Sequence, residues 1–342
     1  MSERPGPDTG DQLFDDDARA LAAEHQRDSH YRWLTLSDDH EAVALRRVLN
    51  ASWQASGSSR LTLRKGLEHE RWGQHIGAMA QLLTLGFLSK LGLTVESEPH
   101  LSDLTPDLCI SKGGHQALVE VRSMAGCGDE PWAGQASNPR LPHDDVRPGQ
   151  RLTEKRERQR ARRRAQARAE AQAALDKSLA DSVSQALHKK AEKYRALALS
   201  RALPFVICLY QDTDTQIARR VIDWGHGTAS KGQQATEGAF AHGSGRLSHL
   251  SAVLVLGRAA LSQDVLSQDV LSPTALTLGA RDPTQPDASQ DTVTLRGELI
   301  LNPVTTLPLP AALRPEGLGV FASDDGHGTP CWSPPSTPLV EL

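Results

Sequence analysis

The chain has 342 residues, a formal net charge of −4, 38% hydrophobic residues and only 4% aromatic ones. That length supports a sizeable apolar core in one large domain or two small ones, while the charge provides no global attraction to nucleic acid. No apolar run approaches the ~20 residues that cross a bilayer, and the acidic, Pro- and Gly-bearing start does not read as a signal peptide, so a cytoplasmic protein with no membrane partner is expected. The four cysteines (Cys109, Cys127, Cys208 and Cys331) show no CxxC spacing. Cys109 and Cys208 lie in apolar, strand-like runs, which suits buried free thiols in a reducing compartment.

Residues 1–11 are polar and read as disordered. From Asp15 to Trp53 helical patterns recur, and Asp15-Asp16-Asp17 and Asp38-Asp39 have helix-start character. A turn at Ser56-Gly57-Ser58-Ser59 ends this region. Glu70 to Leu91 reads as a helix with apolar residues on both faces, hence central, and Gly92 is its stop.

Short strands follow at Leu93-Thr94-Val95, Pro106 to Ile110 and Ala117 to Val121. Lys112-Gly113-Gly114 supplies the hairpin turn between the last two. Residues 124–150 are rich in Gly, Pro, Asp and Asn and read as loop. Residues 151–200 contain neither Gly nor Pro and are expected to be helical throughout. Phe205 to Tyr210 is a strand apolar on both faces, central in a sheet. Residues 225–249 read as a Gly- and His-rich loop. Further strands are expected at Ala252 to Leu256 and Thr292 to Leu301, and the chain from about Ala322 reads as a loose tail. The tandem Leu-Ser-Gln-Asp-Val at 261–265 and 266–270 is too short for a structural repeat.

This order describes an α/β fold with a central mixed β-sheet flanked by helices. Three units are expected: an N-terminal helical region over 1–60, a main domain over 61–320, and a loose tail over 321–342. The main domain carries a long basic helical insertion at 151–182.

The chemistry concentrates where Pro106-Asp107 enters one strand and Glu120-Val121-Arg122 lies on the next. Two carboxylates on successive strands can converge on a divalent cation, with a positive charge nearby for a phosphate. In order and spacing, Gln81-Leu82, Thr105-Pro106-Asp107 and Glu120-Val121-Arg122, followed by a helix and a very apolar strand, resemble the PD-(D/E)xK (restriction-endonuclease-like) nuclease superfamily. The resemblance covers roughly 61–210.

It implies a restriction-endonuclease-like core and Mg²⁺- or Mn²⁺-dependent hydrolysis of DNA phosphodiesters, a metal-binding endonuclease activity. It matches Asp107 and Glu120 to the metal carboxylates, with the Val121 carbonyl in the shell. Arg122 matches the lysine that orients or activates the attacking water, and Gln81 matches an accessory metal-binding glutamate. Both departures remove chemistry: arginine stays protonated and cannot act as a base, and Gln81 brings an oxygen without charge. A lysine displaced onto the following helix is an alternative, and Lys190, flanking the inward stripe Val183, Leu187, Ala191, Tyr194 and Ala198, is the candidate. Lys189 and Lys193 are expected to point the other way.

Arg151 to Arg168 holds nine basic and two acidic residues and no aromatic one. Arg156, Arg158, Arg160, Arg162, Arg163, Arg164 and Arg168 surround the helix, suiting a grip on the DNA backbone without base recognition (RNA is the alternative partner, and a homodimer is compatible). A charge run is also commonly just a solvated face, and Glu120 with Arg122 can be read as a strand-edge ion pair. Two rival readings stand: a catalytically degenerate nuclease-fold module that binds nucleic acid or a protein partner without cleavage, and a structural α/β domain whose basic helix mediates assembly. His226, His242 and His249 match no zinc spacing. His100 and His115 flank the strands without a motif.

Overall fold

The computed structural model describes residues 12–26, 29–101, 104–124, 154–211, 217–226, 238–240, 247–258, 275–278, 293–315, 318–323 and 330–333. Seven α-helices occur among the described residues. They are α1 (Asp16–Glu24), α2 (His30–Leu36), α3 (His40–Ala55), α4 (Arg60–Leu67), α5 (Trp72–Lys90), α6 (Glu154–Arg201) and α7 (Ile217–His226). The nine described strands are β1 (Thr94–Ser97), β2 (Leu108–Lys112), β3 (His115–Ser123), β4 (Phe205–Gln211), β5 (Leu250–Arg258), β6 (Ala275–Leu278), β7 (Val293–Leu301), β8 (Gly319–Ser323) and β9 (Pro330–Ser333).

All nine strands join one mixed sheet in the order β1-β2-β3-β4-β5-β7-β8-β9, with β6 paired to the first half of β7. β1, β2 and β3 are antiparallel neighbours, while β3, β4 and β5 run parallel. The β2–β3 hairpin closes through Gly113 and Gly114, at φ 59° and 80°. Two successive left-handed residues make the primed turn whose twist suits a hairpin, and glycine adopts them without strain. The parallel step from β3 to β4 needs a long crossover, which α6 provides.

Side-chain alternation divides the core into two layers. Val206, Cys208 and Tyr210 of β4 face α5 and the N-terminal helices, whereas Phe205, Ile207 and Leu209 face α6 and α7. The inward stripe of α6 (Val183, Leu187, Ala191, Tyr194 and Ala198) is fully buried. Helix α5 is buried along nearly its whole length and ends at Gly92, whose φ is +78°. The N-terminal helices share one apolar cluster with α5 and the sheet, through Phe14, Leu34, Leu45, Val48 and Trp53, so residues 12–60 pack into the same core as the main domain.

One helix was not assigned from sequence, and one stretch expected to be loose is ordered. Ile217–His226 forms α7, burying Ile217 and Val221 against the sheet. Pro330–Ser333, within the expected loose tail, pairs as β9 with β8 and satisfies an otherwise open backbone edge. Cys109 and Cys208 are buried free thiols, and burial pushes the Cys208 thiol up to about 12. Cys127 and the tandem at 261–270 lie outside the described residues. No described helix is long and apolar enough to cross a membrane.

Candidate active site

Glu120 lies on β3 between Val119 and Val121, which point to the α5 side, so it faces α6 together with Leu118. Its side chain is only 2% exposed. Asp107 sits one residue before β2, in the register that places Leu108 opposite Val119 and so Asp107 opposite Glu120. Just ahead of β2, the Asp107 carboxylate takes the place of a strand partner: its Oδ2 accepts from the Val121 N–H at 2.7 Å. The Asp107 carbonyl is held by the Glu98 N–H at 2.8 Å and the Gln81 amide at 3.2 Å. Strand register and side-chain capping together fix the two carboxylates.

The cations come from α6. Lys190 Nζ is paired with Glu120 Oε1, and Lys193 Nζ lies 3.8 Å from the same oxygen. Lys193 also donates to the Tyr194 hydroxyl at 2.8 Å, and that hydroxyl donates to the Thr105 carbonyl at 3.1 Å. Glu120 Oε2 is buried with no hydrogen-bond partner. Burial, and then the charge of Glu120, push the Asp107 carboxyl up to about 7, against the opposing pull of the Val121 N–H and the two lysines. Burial and the neighbouring Glu120 likewise hold the Tyr194 phenol above its ordinary range.

Of the residues singled out by sequence, Asp107, Glu120 and Lys190 come together. Gln81 stands on α5 and spends its amide donor on the Asp107 backbone, with Ser97 Oγ at 3.5 Å. Arg122 follows Glu120 on the same face of β3 but is exposed. The expectation that Lys193 points away is corrected: its Nζ lies 4.5 Å from the Tyr194 ring centroid and 3.8 Å from Glu120 Oε1. The i, i+3 spacing of Lys190 and Lys193 was the available signal for this.

Arg162, Arg163 and Arg164 are exposed on α6. Arg156, Arg158, Arg160 and Arg168 lie on the helix backbone, but their side chains fall outside the described residues. The histidines stay apart from the carboxylates as far as they are described: His100 and His115 are exposed, and buried His249 donates Nε2–H to the Ala191 carbonyl at 2.7 Å. His242 lies outside the described residues.

Among the described residues no group of three His, Cys, Asp or Glu side chains surrounds a metal position. The oxygens at hand nonetheless fit a hard divalent cation. Two carboxylates repel each other across β2 and β3, and one buried oxygen of Glu120 has nothing to bond. No family model, curated protein or solved structure matches this chain.

Proposed function

We propose that this protein is a magnesium-dependent nuclease with a restriction-endonuclease-like core, hydrolysing DNA phosphodiester bonds at the Asp107–Glu120 pair. The observation that carries the reading is the convergence of Asp107, Glu120 and Lys190, from two strands and a distant helix, around an unsatisfied buried carboxylate oxygen. Buried like charges without enough compensation cost stability, and such arrangements concentrate at functional sites. The antiparallel β1–β3 unit, the α6 crossover and parallel β4 support the core assignment.

In this reading Asp107 and Glu120 hold the ion, with the Val121 carbonyl beside them. When bound, a divalent cation supplies Lewis-acid polarisation of the phosphate and lowers the pKa of a water. Lys190 holds Glu120 in place and stabilises negative charge developing on the phosphoryl oxygens. Asp107 is aimed by the Val121 N–H, and Gln81 steadies its backbone from the opposite face of the sheet. Arg162, Arg163 and Arg164 grip the DNA backbone without reading bases.

One observation favours the rival, non-cleaving module. Lys190 already occupies one Glu120 oxygen, and two carboxylates with two ammoniums make a self-neutralised cluster that needs no ion. Supercoiled plasmid incubated with the protein in magnesium or manganese separates the two. Nicking that disappears in Asp107→Ala establishes the nuclease. Gel retardation without nicking, weakened steeply by salt, leaves the binding module.

A further inference from the structure

Lys193 is a cation that the motif did not assign. Its ammonium carries three N–H donors. One goes to the Tyr194 hydroxyl at 2.8 Å. Glu120 Oε1 at 3.8 Å is beyond hydrogen-bond range, and that oxygen is already paired with Lys190. The Lys193 side chain is 47% exposed, against 23% for Lys190. Lys193 therefore stands on the solvent side of the same carboxylate, with donors to spare.

Its position is set rather than free. Tyr194 is fully buried, and its hydroxyl donates to the Thr105 carbonyl two residues before Asp107, with Glu120 close beside it. That leaves the hydroxyl oxygen to accept from Lys193. The same phenol thus ties the helix bearing the cation to the turn bearing the first carboxylate. With Nζ also 4.5 Å from the ring centroid, the Lys193 ammonium has two restraints that an ordinary surface lysine lacks.

We propose that Lys193 is a further catalytic residue that contacts the scissile phosphodiester directly, with Tyr194 as its positioning residue; this rests on the nuclease reading for the identity of the substrate. Lys190 then serves mainly to compensate Glu120, while Lys193 meets the incoming phosphate. Arg122, exposed further along β3, is not needed for that contact.

The test is the salt dependence of binding of a short DNA duplex to the full-length protein in calcium, compared across Lys193→Ala, Lys193→Arg, Tyr194→Phe, Arg122→Ala and the remote control Lys65→Ala. Each lost phosphate contact lowers the slope of log K against log salt by about 0.9. Lys193→Ala is expected to lose one such contact, Lys193→Arg to regain it, and Lys65→Ala to match wild type. Tyr194→Phe is expected to weaken binding with only part of the slope change, since the ammonium remains but loses its anchor. An unchanged slope in Lys193→Ala, a loss in Arg122→Ala instead, or no duplex binding by wild type would overturn the proposal. Plasmid nicking is scored separately: a Lys193-dependent slope without Asp107-dependent cutting removes the nuclease reading and keeps the phosphate contact.

Discussion

At Asp107, burial and the charge of Glu120 act in the same direction, and both oppose ionisation. The folded-state value of about 7 lies above the ordinary 3.8, so the folded chain binds more protons than the unfolded chain between those values. The resulting stabilisation is full below the ordinary value and is lost as pH rises towards 7. On the nuclease reading a metal ion has to displace that proton, so binding is expected to strengthen as pH rises. The expected outcome is a magnesium-induced rise in Tm that is larger at pH 8 than at pH 6 and absent in Asp107→Asn. The same substitution is expected to raise Tm at pH 8 without magnesium, because a neutral amide keeps an oxygen for the Val121 N–H and removes the repulsion. Thermal melts of the two proteins with and without magnesium check both parts.

Between elements, contacts are specified by small residues and by one histidine pair. A Cβ added at Gly297 on β7 would collide with the Phe87 ring of α5 and with Leu318. Both neighbours are buried, so Gly297→Ala is expected to cost about 1–3 kcal/mol, read as a lower urea midpoint at unchanged m-value.

In the N-terminal layer, His75 Nδ1 donates to the Leu67 carbonyl at 2.6 Å, so its unprotonated Nε2 accepts from His30 Nδ1 at 2.7 Å. That hydrogen bond fastens α2 to α5 among Trp33, Trp72 and Tyr31. Burial lowers His75 from 6.5 to about 4. A depressed histidine favours the folded state only while neutral, so its share of stability is intact above pH 6.5 and falls as pH drops towards 4. The loss is of order 3 kcal/mol by linkage, measurable as chemical denaturation at pH 7 and pH 4.5, with His75→Asn losing that part of the pH dependence.

Across the whole molecule, charge is segregated: the net charge is −4, yet α6 begins with a dense basic segment. Arg162, Arg163 and Arg164 are exposed on consecutive positions, so they point around more than half of the helix circumference. Replacing all three by Gln is expected to lower the salt slope of DNA binding by up to about 2.7, at ~0.9 per contact. Cleavage at saturating DNA is expected to persist, because the helix turns that bear Lys190 and Lys193 are unchanged.

Local chemistry made much of this legible in sequence. The paired glycines 113 and 114 announce the β2–β3 hairpin, and the absence of Gly and Pro announces α6. The doubly apolar run Phe205–Tyr210 announces a central strand. Helix α7 was left unassigned, its last two residues falling in the Gly- and His-rich stretch read as loop, and β9 was obscured by the prolines and serines around it. Their order comes from pairing and burial against distant residues, not from local preference.

The same division holds at the site. Sequence order alone placed Asp107 and Glu120 on adjoining strands and Lys190 beside an inward helical stripe, because strand alternation and helix periodicity depend only on spacing. Tertiary structure decided that Lys193 bends back over Tyr194, that Gln81 holds the Asp107 backbone, and that one Glu120 oxygen is left unbonded. Those outcomes depend on tertiary placement: Gln81 and Asp107 are far apart in sequence, and Tyr194, although next to Lys193, is fixed in place by its bond to the distant Thr105 carbonyl.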